Sequence, residues 1–215
     1  MRIRPLPVVL LAALAVAAGA TAARAAAPTH VTFVGDSVAQ SIEYVPAARR
    51  SLSRGLVLRL DLRVCRRLVL PSCSYQGSAP STVLEAVQSY GRGLGSVLVV
   101  YVGYNEGPTG YGAGIDRVLR AALAQGATGV VWVTLRETRD LYRRTNVAIR
   151  RAAKRWPELQ VADWNAFSAG KPWFGDDGLH LTPTGAGALA GFLRPFVLRA
   201  PAAPLDGRRR TRRDG

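Results

Sequence analysis

The sequence predicts a three-layer, doubly wound α/β fold, in which helices cover both faces of a five-stranded parallel sheet. Three observations support this prediction. Short apolar segments alternate with segments of helical periodicity. The apolar segments are rich in β-branched residues, as buried parallel strands are. Glycine-rich or polar turns follow them. Right-handed crossovers between such strands give the flavodoxin-like order 2-1-3-4-5.

Each element follows from a local pattern. Strand character is found at 30–34, 57–62, 96–102, 130–135 and 159–162. Helical periodicity is found at 38–54, 82–90, 115–125, 138–156 and 183–199. Thr82 and Glu85 fit a capping box at the start of the second helix. Pro157 marks the end of the fourth helix, and Pro195 predicts a kink in the last one.

Two strand ends carry candidate functional residues. The first strand stops at the turn Gly35-Asp36-Ser37, and the third stops at Gly103-Tyr104-Asn105. In the predicted order these two strands are neighbours at the topological switch, where open α/β sheets bind ligands. Ser37 would also lie at a helix start, where unpaired N–H groups favour negative charge. The alternative interpretation of Gly35-Asp36-Ser37 is a simple turn with a helix cap.

The two ends of the chain differ in composition from its middle. A basic start precedes an apolar segment at 8–20 and small residues at 23–25, which is typical of a secretory signal peptide. An uncleaved anchor is the alternative. The predicted organisation is a signal peptide at 1–25, a single domain at 26–200 and a disordered basic tail at 201–215.

The net charge of +15 comes almost entirely from arginine, since only Lys154 and Lys171 are lysines. For an exported protein, this charge predicts association with an anionic cell envelope. A nucleic-acid partner is not expected, because the sequence contains no nucleic-acid-binding motif. The two cysteines, Cys65 and Cys73, are predicted to form a disulfide, and their spacing matches no zinc pattern. We expect a monomer that is secreted or associated with the cell wall.

A serine nucleophile needs a base and an orienting acid. His30 precedes the first strand and would lie at the opposite edge of the sheet from Ser37. His180 lies in the loop after the last strand, and Asp177 precedes it by three residues. This spacing lets the carboxylate reach Nδ1 while Nε2 faces the serine. The alternatives are a surface turn before a helix, or a metal site formed by Asp176, Asp177 and His180.

The order of the motifs Gly35-Asp36-Ser37, Gly103-Tyr104-Asn105 and Asp177-Gly178-Leu179-His180 resembles that of the SGNH (GDSL-like) hydrolases, and most closely their exported actinobacterial members. The resemblance implies that Ser37 is the nucleophile, His180 the general base and Asp177 its orienting acid. It further implies that the oxyanion is bound by the Ser37 amide, the Asn105 side chain and a glycine N–H. Gly77 is the candidate for that glycine. Tyr104 and Glu106 depart from the family's usual neighbours of the asparagine.

The resemblance implies a secreted serine esterase that hydrolyses short acyl esters through an acyl-enzyme, without a cofactor. The substrate would be an acylated small molecule or carbohydrate. An O-acyltransferase on cell-wall or other polysaccharide is the alternative with the same catalytic residues, and a non-catalytic wall-binding protein is a third possibility. Trp173, Phe174 and Arg136 are candidates for a substrate rim. For the two aromatic residues the alternative is loop packing, and for Arg136 it is an ion pair at a helix start.

Overall fold

The computed structural model describes residues 28–200. The predicted signal peptide at 1–25 and the predicted tail at 201–215 lie outside these residues. Within the described part of the chain, no helix combines the length and apolar character needed to cross a membrane.

Five strands form one parallel sheet in the order β2-β1-β3-β4-β5, which confirms the predicted fold class. The strands are β1 (Thr29–Gly35), β2 (Leu56–Leu62), β3 (Val97–Tyr101), β4 (Gly129–Val133) and β5 (Leu159–Ala162). At the carboxyl end of β1, Gly35 pairs with Leu62 on one side and with Tyr101 on the other. The turn that follows Gly35 therefore begins between the ends of β2 and β3.

Seven α-helices and one 3₁₀ helix connect and cover the strands of the described chain. The helices are α1 (Ser41–Tyr44), α2 (Pro46–Ser53), α3 (Val83–Tyr90), α4 (Tyr111–Ala124), α5 (Asp140–Ala153), α6 (Trp164–Phe167) and α7 (Pro183–Arg199), with the 3₁₀ helix at Gly91–Leu94. The predicted capping box is present at the start of α3, where Thr82 and Glu85 bond to each other's backbone N–H. Pro195 lies inside α7.

The prediction of one continuous helix over 38–54 is wrong. Residues 37–40 form a turn, and two short helices follow it, α1 and α2. Val45 separates them in an extended conformation, with φ −111° and ψ 93°. Pro46 explains the break, because proline disfavours a helical residue before it and has no N–H to continue the helix.

Helices α4 and α6 also differ from the prediction. Helix α4 begins at Tyr111, earlier than the predicted 115, because Gly110 adopts φ +86° and lets the chain turn directly into the helix. Helix α6 lies in a region predicted as loop. Asp163 caps α6 by accepting a hydrogen bond from Ala166 N.

Alternate residues of the central strands enter two different cores. On β1, Phe33 belongs to the core covered by α1, α2 and α7, and Val34 to the core covered by α3 and α4. On β3, Val99 and Val100 divide in the same way. This division is the three-layer arrangement, since both faces of each strand are buried. Because the helices cover the two faces of the sheet, turns and loops form its carboxyl edge.

The connection between β2 and α3 is attached to the sheet at several points. Cys65 and Cys73 form the predicted disulfide. Arg66 is only 1% exposed, and its guanidinium pairs with the Asp61 carboxylate at 3.0 Å. Arg66 Nε also donates to Ser81 O at 2.9 Å. These bonds fix both ends of the connection beside the end of β2.

Candidate active site

Ser37 lies in the turn after β1, at the carboxyl edge of the sheet. The turn is attached to β3, because Asp36 N donates to Tyr101 O at 3.1 Å. The Ser37 side chain is half-buried, and its Oγ lies 3.0 Å from His180 Nε2. The predicted nucleophile and base are therefore at hydrogen-bond distance, although 143 residues separate them in the sequence.

His180 is oriented by Asp177. The distance between His180 Nδ1 and Asp177 Oδ2 is 2.5 Å. A carboxylate only accepts, so Nδ1 carries the hydrogen and Nε2 of the neutral ring is free to accept the Ser37 proton. The other carboxylate oxygen, Oδ1, accepts from Leu179 N at 2.9 Å and His180 N at 3.0 Å. Asp177 thus holds both the ring and the backbone of its own loop.

These bonds determine the charge state of Asp177. The hydrogen bond from His180 lowers the pKa of Asp177 to about 2, with further contributions from the two backbone N–H groups. Asp177 is consequently ionised throughout the neutral and mildly acidic range. Both of its oxygens are occupied by donors of its own loop, which disfavours the alternative of a metal site with Asp176 and His180. Among residues 28–200, no group of three or more acidic, histidine or cysteine side chains is arranged to hold a metal ion.

The loop that carries these residues, 175–180, is closed by backbone hydrogen bonds. Gly175 N donates to His180 O at 2.8 Å, and Thr182 N donates to Trp173 O at 2.9 Å. The chain on either side of the loop thus forms an antiparallel pair that presents the Asp177 and His180 side chains together. We refer to residues 175–180 as the Asp/His loop.

Arg136 packs against the Asp/His loop from the end of β4. Its Nη1 donates to the Gly178 carbonyl, and its guanidinium carbon lies 3.9 Å above the centre of the Phe174 ring. The backbone N–H of Arg136 donates to the Tyr104 hydroxyl at 2.8 Å. Arg136 therefore links the Asp/His loop to the turn after β3. Its guanidinium bonds to protein groups here, instead of forming the ion pair considered as the alternative.

We expect Arg136→Ala to lower kcat for a short ester about 10- to 100-fold while KM changes little, because the Asp/His loop loses the bond at Gly178. Arg139→Ala is the matched control, since Arg139 is an exposed arginine three residues further along. Steady-state kinetics with and without added guanidinium ion measure the effect, and guanidinium should restore part of kcat. A rise in KM at unchanged kcat would instead indicate the substrate contact considered from the sequence.

Asp36 is fully buried beside the candidate nucleophile and connects two turns. Its Oδ1 accepts from Val38 N at 3.1 Å, and its Oδ2 accepts from Gly103 N at 3.2 Å and Tyr104 N at 3.3 Å. Burial raises the pKa of Asp36 to about 7, against the opposing effect of these three hydrogen bonds. Asp36 thereby fixes the turn after β1 to the turn after β3. Sequence patterns assigned it no role, because two of its three partners lie 67 and 68 residues away.

Asn105 follows these bonded residues at the end of β3 and is half-buried. Its Nδ2 donates to the Arg66 carbonyl at 3.4 Å. An amide nitrogen carries two hydrogens, so this bond orients the group and leaves a second N–H for another acceptor. Glu106 holds the neighbouring connection, because its carboxylate accepts from Leu68 N at 2.5 Å.

Gly77 lies in an exposed turn of the connection between β2 and α3, with φ +82°. Tyr75 and Ser78 close this turn through paired backbone hydrogen bonds of 2.8 and 3.2 Å. Among the described residues, Gly77 makes no hydrogen bond with Ser37 or Asn105. Its role as an oxyanion donor stays a prediction.

The two predicted rim aromatics take part in loop packing. Trp173 is half-buried and stacks on the buried Trp164, with ring centres 5.7 Å apart. Phe174 lies beneath the guanidinium of Arg136. Both rings thus pack next to the Asp/His loop. Their contact with substrate stays a prediction.

No protein-family model and no curated protein sequence matches this chain. Solved structures that share its α/β fold do match it. They include a protein from Agrobacterium tumefaciens named as an arylesterase, with 12% identity, a TM-score of 0.61 and coverage of 80% of this chain and 100% of that chain. A carbohydrate acetylesterase family member from Sinorhizobium meliloti has 13% identity, a TM-score of 0.60 and coverage of 79% and 97%. The esterase EstA from Pseudoalteromonas sp. has 9% identity, a TM-score of 0.58 and coverage of 79% and 96%. At these identities the likeness establishes the fold, which is one that hosts many activities.

Proposed function

We propose that this protein is an exported serine esterase of the SGNH type, which hydrolyses short acyl esters through an acyl-enzyme. The observation that carries the proposal is the continuous hydrogen-bond chain from Ser37 through His180 to Asp177, with distances of 3.0 and 2.5 Å. A nucleophile hydrogen-bonded to a base, with the base oriented by a third group, is the arrangement that activates a serine hydroxyl. The esterases that share the fold add support.

In the proposed first step, Ser37 Oγ attacks the ester carbonyl carbon and its proton passes to His180 Nε2. The imidazolium is stabilised by Asp177, which remains ionised because of its low pKa. The carbonyl oxygen becomes an oxyanion, and the Ser37 N–H and the second N–H of Asn105 are the proposed donors to it. One such donor typically contributes about 3–4 kcal/mol to the barrier reduction. Gly77 is proposed as a third donor and would have to approach from its exposed turn.

Collapse of the tetrahedral intermediate breaks the bond to the alcohol, which leaves with the proton held by His180. Water then attacks the Ser37 acyl ester, again with His180 as the base, and releases the acid. A sugar hydroxyl in place of water would give an O-acyltransferase with the same residues. The solved esterases that share the fold support hydrolysis, and hydrolysis is the function that we propose.

Export is part of the same proposal. The disulfide between Cys65 and Cys73 is the type of crosslink that persists in oxidising compartments. It supports the predicted signal peptide at residues 1–25. The net charge of +15 supports a proposed electrostatic association with an anionic cell envelope.

The test is covalent labelling of the purified exported protein with a serine-directed fluorophosphonate, followed by peptide mass mapping. We expect a single adduct at Ser37, formed at the rate at which 4-nitrophenyl acetate hydrolysis is lost. Ser41→Ala is a matched control that keeps the adduct, because Ser41 Oγ donates to its own helix turn at Val38 O. An adduct at another residue, or hydrolysis that persists after complete labelling, would contradict the proposal.

A further inference from the structure

A polar groove lies next to the candidate nucleophile, between the turn after β1 and the connection that follows β2. Its volume is about 690 Å³, within the usual range of ligand sites. Gln40 and Tyr44 line one side, and Arg63, Tyr75 and Gln76 line the other. We call this the tyrosine groove.

The tyrosine groove begins at residues that flank Ser37. Gln40 follows Ser37 in the same turn, and its N–H donates to Asp36 O at 3.2 Å. On the other side, Arg63 N donates to Gly35 O at 3.0 Å. Both walls are therefore attached to the turn that presents the serine, and Gln40, which lines the groove, follows Ser37 by three residues.

The floor of the groove is a satisfied polar network. The Asp61 carboxylate bonds to Arg66 at 3.0 Å and to the Tyr90 hydroxyl at 2.9 Å, and Arg63 contacts it at 3.3 Å. Asp61 and Arg66 are 5% and 1% exposed. The floor therefore stays rigid and polar, which does not suit a long acyl chain.

Two tyrosine rings on the walls are unusually open to solvent. Tyr44 is 70% exposed and Tyr75 is 49% exposed. Burial of an aromatic ring is favourable, so two rings presented at one polar groove are available to pack against a ligand. A pyranose ring fits this combination, because its C–H face stacks on an aromatic ring while its hydroxyls bond to groups such as Gln40, Gln76 and Arg63.

We propose that the tyrosine groove binds the oligosaccharide portion of an O-acylated glycan, with Tyr44 and Tyr75 stacking on pyranose rings and the ester directed to Ser37. The inference rests on the proposed function, because it assigns the alcohol side of the ester that Ser37 attacks. It narrows the substrate from short acyl esters in general to esters on sugar chains.

The kinetic test compares O-acetylated xylotetraose and O-acetylated chitotetraose with 4-nitrophenyl acetate. The measured quantity is the ratio of kcat/KM for the better oligosaccharide to that for the aryl ester. We expect Tyr44→Ala and Tyr75→Ala each to lower this ratio about tenfold, and the double variant more strongly. Tyr44→Phe and Tyr75→Phe keep the ring and should retain most of the ratio. Leu198→Ala, an exposed apolar residue on α7, should not change it.

A binding measurement separates this inference from the proposed esterase activity. Deacetylated xylotetraose and chitotetraose are titrated into the protein by calorimetry, where no hydrolysis is involved. Binding that weakens in Tyr44→Ala and Tyr75→Ala supports the groove even if no ester is hydrolysed. Aryl ester hydrolysis with no binding of either sugar, and a ratio unchanged in both alanine variants, overturns the groove while leaving the esterase intact.

Discussion

Ser37→Ala is expected to lower kcat for 4-nitrophenyl acetate by at least about 10⁴-fold, because it removes the proposed attacking oxygen. The Ser37 hydroxyl lies 3.0 Å from His180 Nε2, and the other ring nitrogen of His180 is bonded to Asp177. The substitution removes one oxygen from a half-buried side chain. The fold should therefore be retained, and the loss should appear in kcat with KM almost unchanged.

The loss is measured by steady-state kinetics on protein whose circular dichroism and melting temperature match the parent. Ser53→Ala is the matched control, since the Ser53 hydroxyl bonds only within its own helix, to Arg50 O. It should retain full activity. Hydrolysis that survives Ser37→Ala at the parental rate would exclude the acyl-enzyme route.

His180→Ala tests the same chain of hydrogen bonds by removing the proposed general base. We expect a loss similar to that of Ser37→Ala, and the double variant should be no worse than either single one, because the two groups act as a unit. His30→Ala is the control, since His30 is exposed at the opposite end of β1. Additive losses in the double variant would show that the two side chains act independently.

The sheet was predictable because a local apolar pattern in the sequence marks each strand. Apolar segments, three of them rich in β-branched residues, predicted the strands, and the right-handed crossover rule placed β1 beside β3. This neighbourhood brings the turns at Ser37 and Asn105 to one edge. The break in the first helix was also predictable, since Pro46 disfavours a helical conformation at Val45.

Other features of the site depend on contacts that no periodic pattern encodes. Arg136 was identified at the correct strand end, yet the sequence does not show that its guanidinium bonds to Gly178, 42 residues later. Gly77 lies in a connection without regular structure, so no periodic pattern in the sequence predicts where its N–H points. In the sequence Asp36 looks like part of a local turn, but its Oδ2 accepts a hydrogen bond from Gly103 N, at the end of β3.

Asp36→Ala is expected to destabilise the protein by about 3–6 kcal/mol, because it leaves three buried backbone N–H groups without an acceptor at about 1–3 kcal/mol each. These groups belong to Val38, Gly103 and Tyr104. For a domain of this size, the melting temperature should fall by about 6–24 °C, at about 2–4 °C per kcal/mol. Asp176→Ala is the matched control, since Asp176 is exposed, and it should shift the melting temperature very little.

The pH dependence of stability gives a second readout for Asp36. Its pKa in the folded protein is raised from 3.8 to about 7 by burial. Between these values the folded state binds the proton more tightly than the unfolded state does. The contribution of Asp36 protonation to the free energy of unfolding is therefore fully present below pH 4 and is lost as the pH rises through 7. The slope is at most about 1.4 kcal/mol per pH unit for one proton.

Asp36→Asn removes this titration while keeping the size of the side chain and one acceptor oxygen. The free energy of unfolding of the parent, measured relative to Asp36→Asn by denaturant titration, should therefore decrease from pH 4 to pH 7 and then level off. A difference that stays constant from pH 4 to pH 8 would show that Asp36 is ionised throughout. In that case the three N–H donors would lower the pKa of Asp36 by more than burial raises it.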